Sequence, residues 1–312
     1  TLTPICSCVC VTQTPTATPV ALPTATMTPA PSTITPTATP QAASSKRGLG
    51  ISTWSGDGLD VQMFASMGFS WGYLWSPYVI DHMGNPNFEV VPMVHMGDVA
   101  EWMADNPALS VMPGGYLLFL NEPDSVYGGD DYRKPDGTLW AKYNYANAFR
   151  MSWLAVEEAN PEAKWVVGNV YDITGSGRTW LSDFMTAYRD VYGDWPLVAG
   201  VGVHNYPGGY DKNDWRNRLL SFRDWLNAQP WGAGKEVWLT EFAMLGSESA
   251  SLQLIKDQVT QERWLDGQTW ISRYAWFVSY SSQMAGSVMQ LVNGQYRENS
   301  LTVIGQEFAA YR

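Results

Sequence analysis

The chain has 312 residues and a formal net charge of -11 at pH 7. This negative charge would repel nucleic acids and anionic membranes, so we expect neither as a partner, and no apolar run approaches the roughly 20 residues of a membrane span. Aromatic residues make up 13% of the chain and include 16 Trp, side chains that suit stacking on the apolar faces of sugar rings.

Residues 1–45 differ in composition from the rest of the chain. All three cysteines, Cys6, Cys8 and Cys10, lie at the start of this segment, and their spacing does not fit a zinc site. Thr, Pro and Ala dominate from residue 11 onward, which predicts a disordered, semi-extended linker. Linkers of this kind commonly tether extracellular enzymes, so we expect a secreted or cell-surface protein that such a linker could join to modules upstream.

Residues 46–312 are expected to form one catalytic domain in which extended apolar runs alternate with helical patterns. The predicted strands cover residues 47–52, 70–75, 89–95, 115–120, 164–169, 197–205, 237–241 and 273–279. Helices are predicted around Leu59, Trp180 and Trp215 and over 97–106, 139–159, 251–269 and 303–311. This alternation predicts an α/β fold, a (β/α)8 TIM barrel. A doubly wound open sheet is the alternative, disfavoured because no Gly-rich phosphate loop follows the first strand.

Two predicted strands end in a glutamate. An unbroken apolar run stops at Asn121 and Glu122, where Pro123 ends the strand, and a second run ends at Glu241. The fourth and seventh strands of a barrel lie on opposite sides of its axis, so the two carboxylates could flank a glycosidic bond. Cleavage of that bond needs a proton donor to the departing oxygen and a second carboxylate at the anomeric carbon.

We therefore predict a retaining glycosidase in which Glu122 is the acid/base and Glu241 the nucleophile. The two carboxyl groups should then lie about 5 to 5.5 Å apart. Asn121 is predicted to hold the sugar 2-hydroxyl, and Tyr206 to orient Glu241.

Other polar and aromatic residues at predicted strand ends are expected to bind substrate. They are Trp54, Trp75, His95, Asn169, His204 and Trp276. No cofactor is predicted, and no metal, because the histidines lack ligand spacing. Asp130 and Asp131 could hold calcium, but a solvated acidic loop is the preferred interpretation.

Four segments resemble the signatures of the clan A glycoside hydrolases. They are Leu118–Asp124, Val203–Tyr206, Trp238–Ala243 and Arg273–Phe277. Within that clan the chain is most similar, from about Lys46 to Tyr311, to the glycosyl hydrolase catalytic core (Asl1-like) family, glycoside hydrolase family 128. The resemblance implies retaining hydrolysis of β-1,3-glucan by Glu122 and Glu241.

The leading expectation is thus a monomeric, secreted endo-β-1,3-glucanase with β-glucan as its polysaccharide substrate. One alternative is another clan A specificity, a β-xylosidase or a β-mannanase. The other is a catalytically idle polysaccharide-binding module.

Overall fold

The fold was analysed in a computed structural model that describes residues 44–52, 59–79, 88–104, 111–126, 131–293 and 300–311. All of them belong to one compact unit, Pro40–Arg312. The predicted linker lies almost entirely outside the described residues and stays a prediction.

The centre of the fold is one parallel sheet of nine short strands. They are β1 (Arg47–Gly50), β2 (Trp71–Tyr73), β3 (Glu89–Val91), β4 (Met93–Val94), β5 (Tyr116–Phe119), β6 (Lys164–Val170), β7 (Gly200–His204), β8 (Glu236–Phe242) and β9 (Ile271–Trp276). The order is β3-β2-β1-β9-β8-β7-β6-β5-β4. Its two end strands, β3 and β4, are separated only by Pro92, which has no N–H to donate. They therefore occupy one of eight barrel positions, and the predicted TIM barrel is confirmed.

The described residues form eight α-helices. They are α1 (Leu59–Ser66), α2 (Val99–Ala104), α3 (Lys142–Glu157), α4 (Ser176–Tyr192), α5 (Lys212–Asn227), α6 (Glu248–Ile255), α7 (Trp264–Gly267) and α8 (Val303–Ala310). No helix in this part of the chain has the length and apolarity to cross a membrane.

The single helix predicted over 251–269 is wrong. The chain instead forms α6, a π-helical segment Lys256–Thr260 and the short α7. The continuous helix is broken at Arg263, which has a left-handed φ of 52° just before α7. Helical periodicity alone does not predict such a break, because the apolar spacing continues across it.

Alternate residues of the strands fill the barrel interior, including Trp71, Val91, Leu118 and Trp238. The intervening residues pack outward against the helices, which explains why the strands appear in the sequence as unbroken apolar runs. The guanidinium of Arg273 lies 4.7 Å from the ring centroid of Trp238.

The strand ends that carry polar residues are irregular. The β7–β8 pairing shifts between Val203 and His204, so that His204 lies opposite Glu241 rather than Thr240. The β6–β7 pairing shifts between Val167 and Val170. A bulge adds one residue and changes the face to which the next side chain points. Without the shift in β8, Glu241 would follow Val237 and Leu239 onto the outward face.

Candidate active site

Glu122 lies just beyond β5, where the backbone leaves the strand through two left-handed residues. Leu120 has φ of 72° and Glu122 has φ of 49°. The N–H of Glu122 donates to the carbonyl of Asn169 at 3.0 Å. The amide of Asn169 donates to the carbonyl of Leu120 at 2.7 Å. The β6 bulge therefore holds the turn that directs Glu122 toward the barrel axis.

Glu241 is held by donors on both of its carboxylate oxygens. Tyr206 donates to Oε2 at 2.8 Å. The indole N–H of Trp75 is 3.0 Å from Oε1, and the hydroxyl of Tyr73 is 3.1 Å from the same oxygen. The hydroxyl of Tyr73 also lies 2.9 Å from the carbonyl of Thr240, and its one proton serves either acceptor. These donors fix the orientation of a carboxylate that is almost fully buried.

His204 joins the two glutamates. Its Nδ1 is 2.9 Å from Oε1 of Glu122 and 3.4 Å from Oε2 of Glu241. Burial lowers the pKa of His204, but the carboxylates of Glu241 and Glu122 outweigh burial and raise it above its ordinary value. A proton on Nδ1 is thus shared between two acceptors, with Glu122 the nearer.

Burial also governs the ionisation of the groups around Glu241. It raises the pKa of Glu241, opposed by the positive charge of His204 and by the hydrogen bonds of Tyr206 and Trp75, while the charge of Glu122 adds to the rise. Burial and the Glu241 carboxylate raise the pKa of Tyr73 and Tyr206 well above their ordinary value. Both tyrosines therefore remain protonated donors near neutral pH.

One oxygen of each glutamate and one nitrogen of His204 lie within 4.8 Å of one another. These atoms could coordinate a metal ion. However, both oxygens of Glu241 already accept hydrogen bonds from Tyr206, Trp75 and Tyr73, so a metal would have to displace them. These hydrogen-bond donors suit a carboxylate that is oriented to react with a carbon atom better than they suit a metal ligand.

The carboxylates of Glu122 and Glu241 line a cleft of about 680 Å³. Its lining residues include Trp75, Asn121, Tyr171, Tyr206, Phe277 and Tyr280, together with Glu122 and Glu241. The cleft lies at the carboxyl ends of the strands, where TIM barrels carry their active sites.

The model of the glycosyl hydrolase catalytic core family matches residues 49–308, most of the chain. The chain belongs to this family. The predicted enzyme class, glycoside hydrolase, is thereby confirmed. A search among curated proteins gave no match.

Solved structures share the fold of this glycoside hydrolase at low sequence identity. An endo-β-1,3-glucanase of glycoside hydrolase family 128, subgroup II, from Sorangium cellulosum is 22% identical, with a TM-score of 0.61 over 86% of this chain and 98% of that one. A subgroup I endo-β-1,3-glucanase from Amycolatopsis mediterranei, in complex with laminaritriose, is 19% identical, with a TM-score of 0.61 over 86% and 100%. A curdlan-specific exo-β-1,3-glucanase from Blastomyces gilchristii is 19% identical, with a TM-score of 0.60 over 86% and 99%.

The structure brings six of the predicted site residues of this hydrolase together. Glu122, Glu241, Asn121, Trp75 and Tyr206 line the cleft. His204 lies just behind them, fully buried between the two glutamates.

Two other predicted substrate ligands are placed where they support the site. Asn169 is fully buried and contacts the turn that carries Glu122. His95 lies beside Asp131 and the carbonyl of Trp75. Neither is among the residues that line the cleft. The expectation that Asp131 is solvated is wrong, because the residue is only 1% exposed.

The prediction for Trp276 requires a correction, and Trp54 lies outside the described residues. The side chain of Trp276 is 1% exposed, and its indole donates to the carbonyl of Gly286 at 2.7 Å. It packs edge-on against Phe242 in the core. The next residue, Phe277, faces the cleft instead. Strand-end position alone does not determine on which side of the sheet a side chain lies.

Three tyrosines of the site were not identified from the sequence: Tyr73, Tyr171 and Tyr280. Tyr73 could have been found, because it precedes Trp75 by two residues and side chains alternate along a strand. Tyr171 and Tyr280 lie in loops, for which no periodic signal exists.

Proposed function

We propose that this glycoside hydrolase is a retaining, endo-acting β-1,3-glucanase. The observation that carries the proposal is the close approach of Glu122 and Glu241, whose nearest described oxygens lie within 4.8 Å in a cleft. This close approach suits a retaining enzyme, whose carboxyl groups lie about 5 to 5.5 Å apart, better than an inverting enzyme, which needs about 6.5 to 9.5 Å to admit a water molecule.

The surroundings of the two glutamates support different roles. Glu241 is buried and oriented through both oxygens, as suits a nucleophile that must meet the anomeric carbon. Glu122 is more exposed and shares the Nδ1 proton of His204, as suits a group that gives and takes a proton. In the first step, Glu122 protonates the departing oxygen while Glu241 forms the glycosyl ester. In the second, Glu122 deprotonates the water that hydrolyses this ester.

The choice of β-1,3-glucan rests on similarity to β-1,3-glucanases, and the size of the cleft is compatible with it. Relatives of the same fold include enzymes in complex with laminaritriose and with laminarihexaose. The cleft of about 680 Å³ lies in the range of about 300 to 1,000 Å³ that is typical of sites for drug-sized ligands. Endo action is proposed because two of the three relatives described above are endo-acting.

The compartment is part of the same proposal. The Thr-, Pro- and Ala-rich segment before residue 46 has the composition of linkers that tether extracellular enzymes. We infer that the enzyme acts outside the cell. Fractionation of a culture that produces the full chain should place it in the medium or on the cell surface; retention inside the cell would contradict this.

The activity is tested by incubating the enzyme with laminarin, curdlan, xylan and mannan. We expect laminarin oligosaccharides of several lengths and a first product in the β-anomer, observed by NMR. Release of glucose alone would contradict endo action. Cleavage of xylan or mannan without cleavage of laminarin would establish another specificity, and glucan binding without turnover would establish a binding module.

Matched substitutions test the two catalytic roles. Glu122→Gln and Glu241→Gln should each lower kcat by about 10³-fold or more, on the scale of losing a general acid or a nucleophile. Glu248→Gln is the control, because Glu248 is exposed at the start of α6. Wild-type turnover in either catalytic variant would contradict the assignment.

A further inference from the structure

Asp131 is a buried acid supplied by the loop that follows β5. Its Oδ1 accepts the N–H of Met96 at 2.6 Å, and its Oδ2 accepts the N–H of Asn121 at 2.7 Å. Oδ2 is also 3.0 Å from Nδ1 of His95. The backbone of Asp131 donates to the carbonyl of Asn121 and accepts the hydroxyl of Tyr145. One residue thus connects the ends of β4 and β5 with α3.

His95 lies between two hydrogen-bond acceptors. Nε2 is 3.2 Å from the carbonyl of Trp75, which can only accept a hydrogen bond. Nδ1 faces the carboxylate of Asp131, whose oxygens already accept two backbone N–H groups. Both ring nitrogens therefore face acceptors, and the pair of His95 and Asp131 is joined to the carbonyl of Trp75.

This pair reaches the nucleophile through Trp75. Trp75 adopts a left-handed φ of 53°, which is unfavourable for a residue with a side chain. The hydrogen bond from His95 to its carbonyl stabilises that conformation. In the same conformation the indole N–H of Trp75 lies 3.0 Å from Oε1 of Glu241. Contacts therefore run without a break from Asp131 through His95 and Trp75 to Glu241.

A second branch leads to the other side of the cleft. Asp131 and Asn121 exchange two hydrogen bonds, and Asn121 immediately precedes Glu122 in the chain. Both Asn121 and Trp75 line the cleft. A single carboxylate is thus in a position to fix a cleft residue next to each of the two glutamates.

We propose that Asp131 and His95 are positioning residues that hold Trp75 against Glu241 and Asn121 beside Glu122. The inference rests on the proposed hydrolase function. Neither Asp131 nor His95 is among the residues lining the cleft, so both act through their neighbours.

Substitutions at both positions separate positioning from folding. Asp131→Asn preserves shape but replaces an accepting oxygen with a donor that faces other donors. His95→Gln retains a donor toward the carbonyl of Trp75, whereas His95→Leu does not. Asp136→Asn is the control, because Asp136 is exposed in the same loop and its hydrogen bonds among the described residues are to Thr138.

The kinetic test compares kcat and KM on laminarin at a temperature where circular dichroism shows every variant folded. We expect Asp131→Asn and His95→Leu to lower kcat by about 10- to 100-fold, the effect of a small misplacement of reacting groups, with little change in KM. His95→Gln should recover most of that loss, and Asp136→Asn should match wild type. Wild-type kcat in folded Asp131→Asn, with only its melting temperature lowered, would overturn the proposal.

A structural readout does not depend on activity. In a crystal structure of Asp131→Asn we expect the indole of Trp75 to have left hydrogen-bond distance of Glu241, and Asn121 to have shifted. Unchanged positions of both residues would overturn the proposal, even if wild type hydrolysed no glucan. Inactive wild type with the expected displacement would instead contradict the proposed function alone.

Discussion

The backbone carbonyl of Asn169 accepts the N–H of Glu122 at 3.0 Å, so the bulge in β6 directly supports the turn that carries the proposed acid/base. Asn169 has a left-handed φ of 46°, a conformation that Asn tolerates better than most residues. Its amide also satisfies the carbonyl of Leu120. Asn169 therefore holds the turn that carries Glu122, and we expect it to support the proposed catalysis in this way.

Replacing Asn169 with Ala should affect both stability and rate. It leaves the buried carbonyl of Leu120 unsatisfied, which should lower the free energy of unfolding by about 1 to 3 kcal/mol. Loss of support for Glu122 should lower kcat by about 10- to 100-fold. Urea unfolding and laminarin kinetics measure the two effects. An unchanged kcat in this variant would show that the turn keeps its conformation without the Asn169 side chain.

The same contact can be disturbed from β7. A Cβ on Gly202 would collide with the side-chain oxygen of Asn169. Gly202→Ala should therefore reproduce the loss of kcat of Asn169→Ala, and it should cost less in an Asn169→Ala background, where that oxygen is absent. Additive losses in the double variant would contradict this explanation.

The sequence predicted the barrel and the paired glutamates because both depend on local patterns. Apolar runs ending at Glu122 and Glu241 identify strands, and parallel strands bring their carboxyl ends to one face. The sequence could not show on which side of the sheet the Trp276 side chain lies, because the register of its strand depends on pairing with strands distant in the chain. The burial of Asp131 was not predictable, since it requires His95 and Asn121, which lie elsewhere in the chain, to come together.

Substitution by Phe should lower activity at Trp75 but lower stability at Trp276. Trp75→Phe removes a hydrogen bond to the Glu241 carboxylate, worth about 1.5 to 3 kcal/mol, so kcat/KM should fall by about 10- to 100-fold. Trp276→Phe should lower the free energy of unfolding by about 1 to 3 kcal/mol and leave kcat/KM unchanged, since Trp276 is packed in the core. Weaker oligosaccharide binding by folded Trp276→Phe would show instead that Trp276 belongs to the substrate site.

Chelation should not affect activity. Both oxygens of Glu241 already accept hydrogen bonds from protein donors, so the proposed reaction needs no metal. We expect the same laminarin rate before and after dialysis against EDTA. Loss of activity that returns with a divalent ion would show that Glu122, His204 and Glu241 act as ligands instead.

The acid limb of the pH–rate profile should report Glu241. Protonated Glu241 cannot attack, so kcat/KM should fall as pH decreases through its pKa. Because burial raises that pKa, the fall should begin above the range of an ordinary glutamate, about 4.3. Tyr206→Phe removes a hydrogen bond that lowers the pKa and should move the limb to higher pH. A limb that moves to lower pH would contradict this assignment.

Stability should decrease as pH rises, because two buried ionisable groups of the site, His204 and Glu241, both have raised pKa values. His204 favours the fold while protonated, so its contribution is complete below its unfolded pKa of about 6.5 and is lost as pH rises through its folded pKa. Glu241 favours the fold while neutral, and its contribution is lost from about pH 4.3 upward through its raised pKa. Both contributions have the same sign, so at these two groups the folded protein binds more protons than the unfolded chain over this interval.

We expect the melting temperature to fall from mildly acidic to alkaline pH. Glu241→Gln should flatten that decline, since Gln cannot ionise. A decline equally steep in Glu241→Gln would show that Glu241 does not cause it.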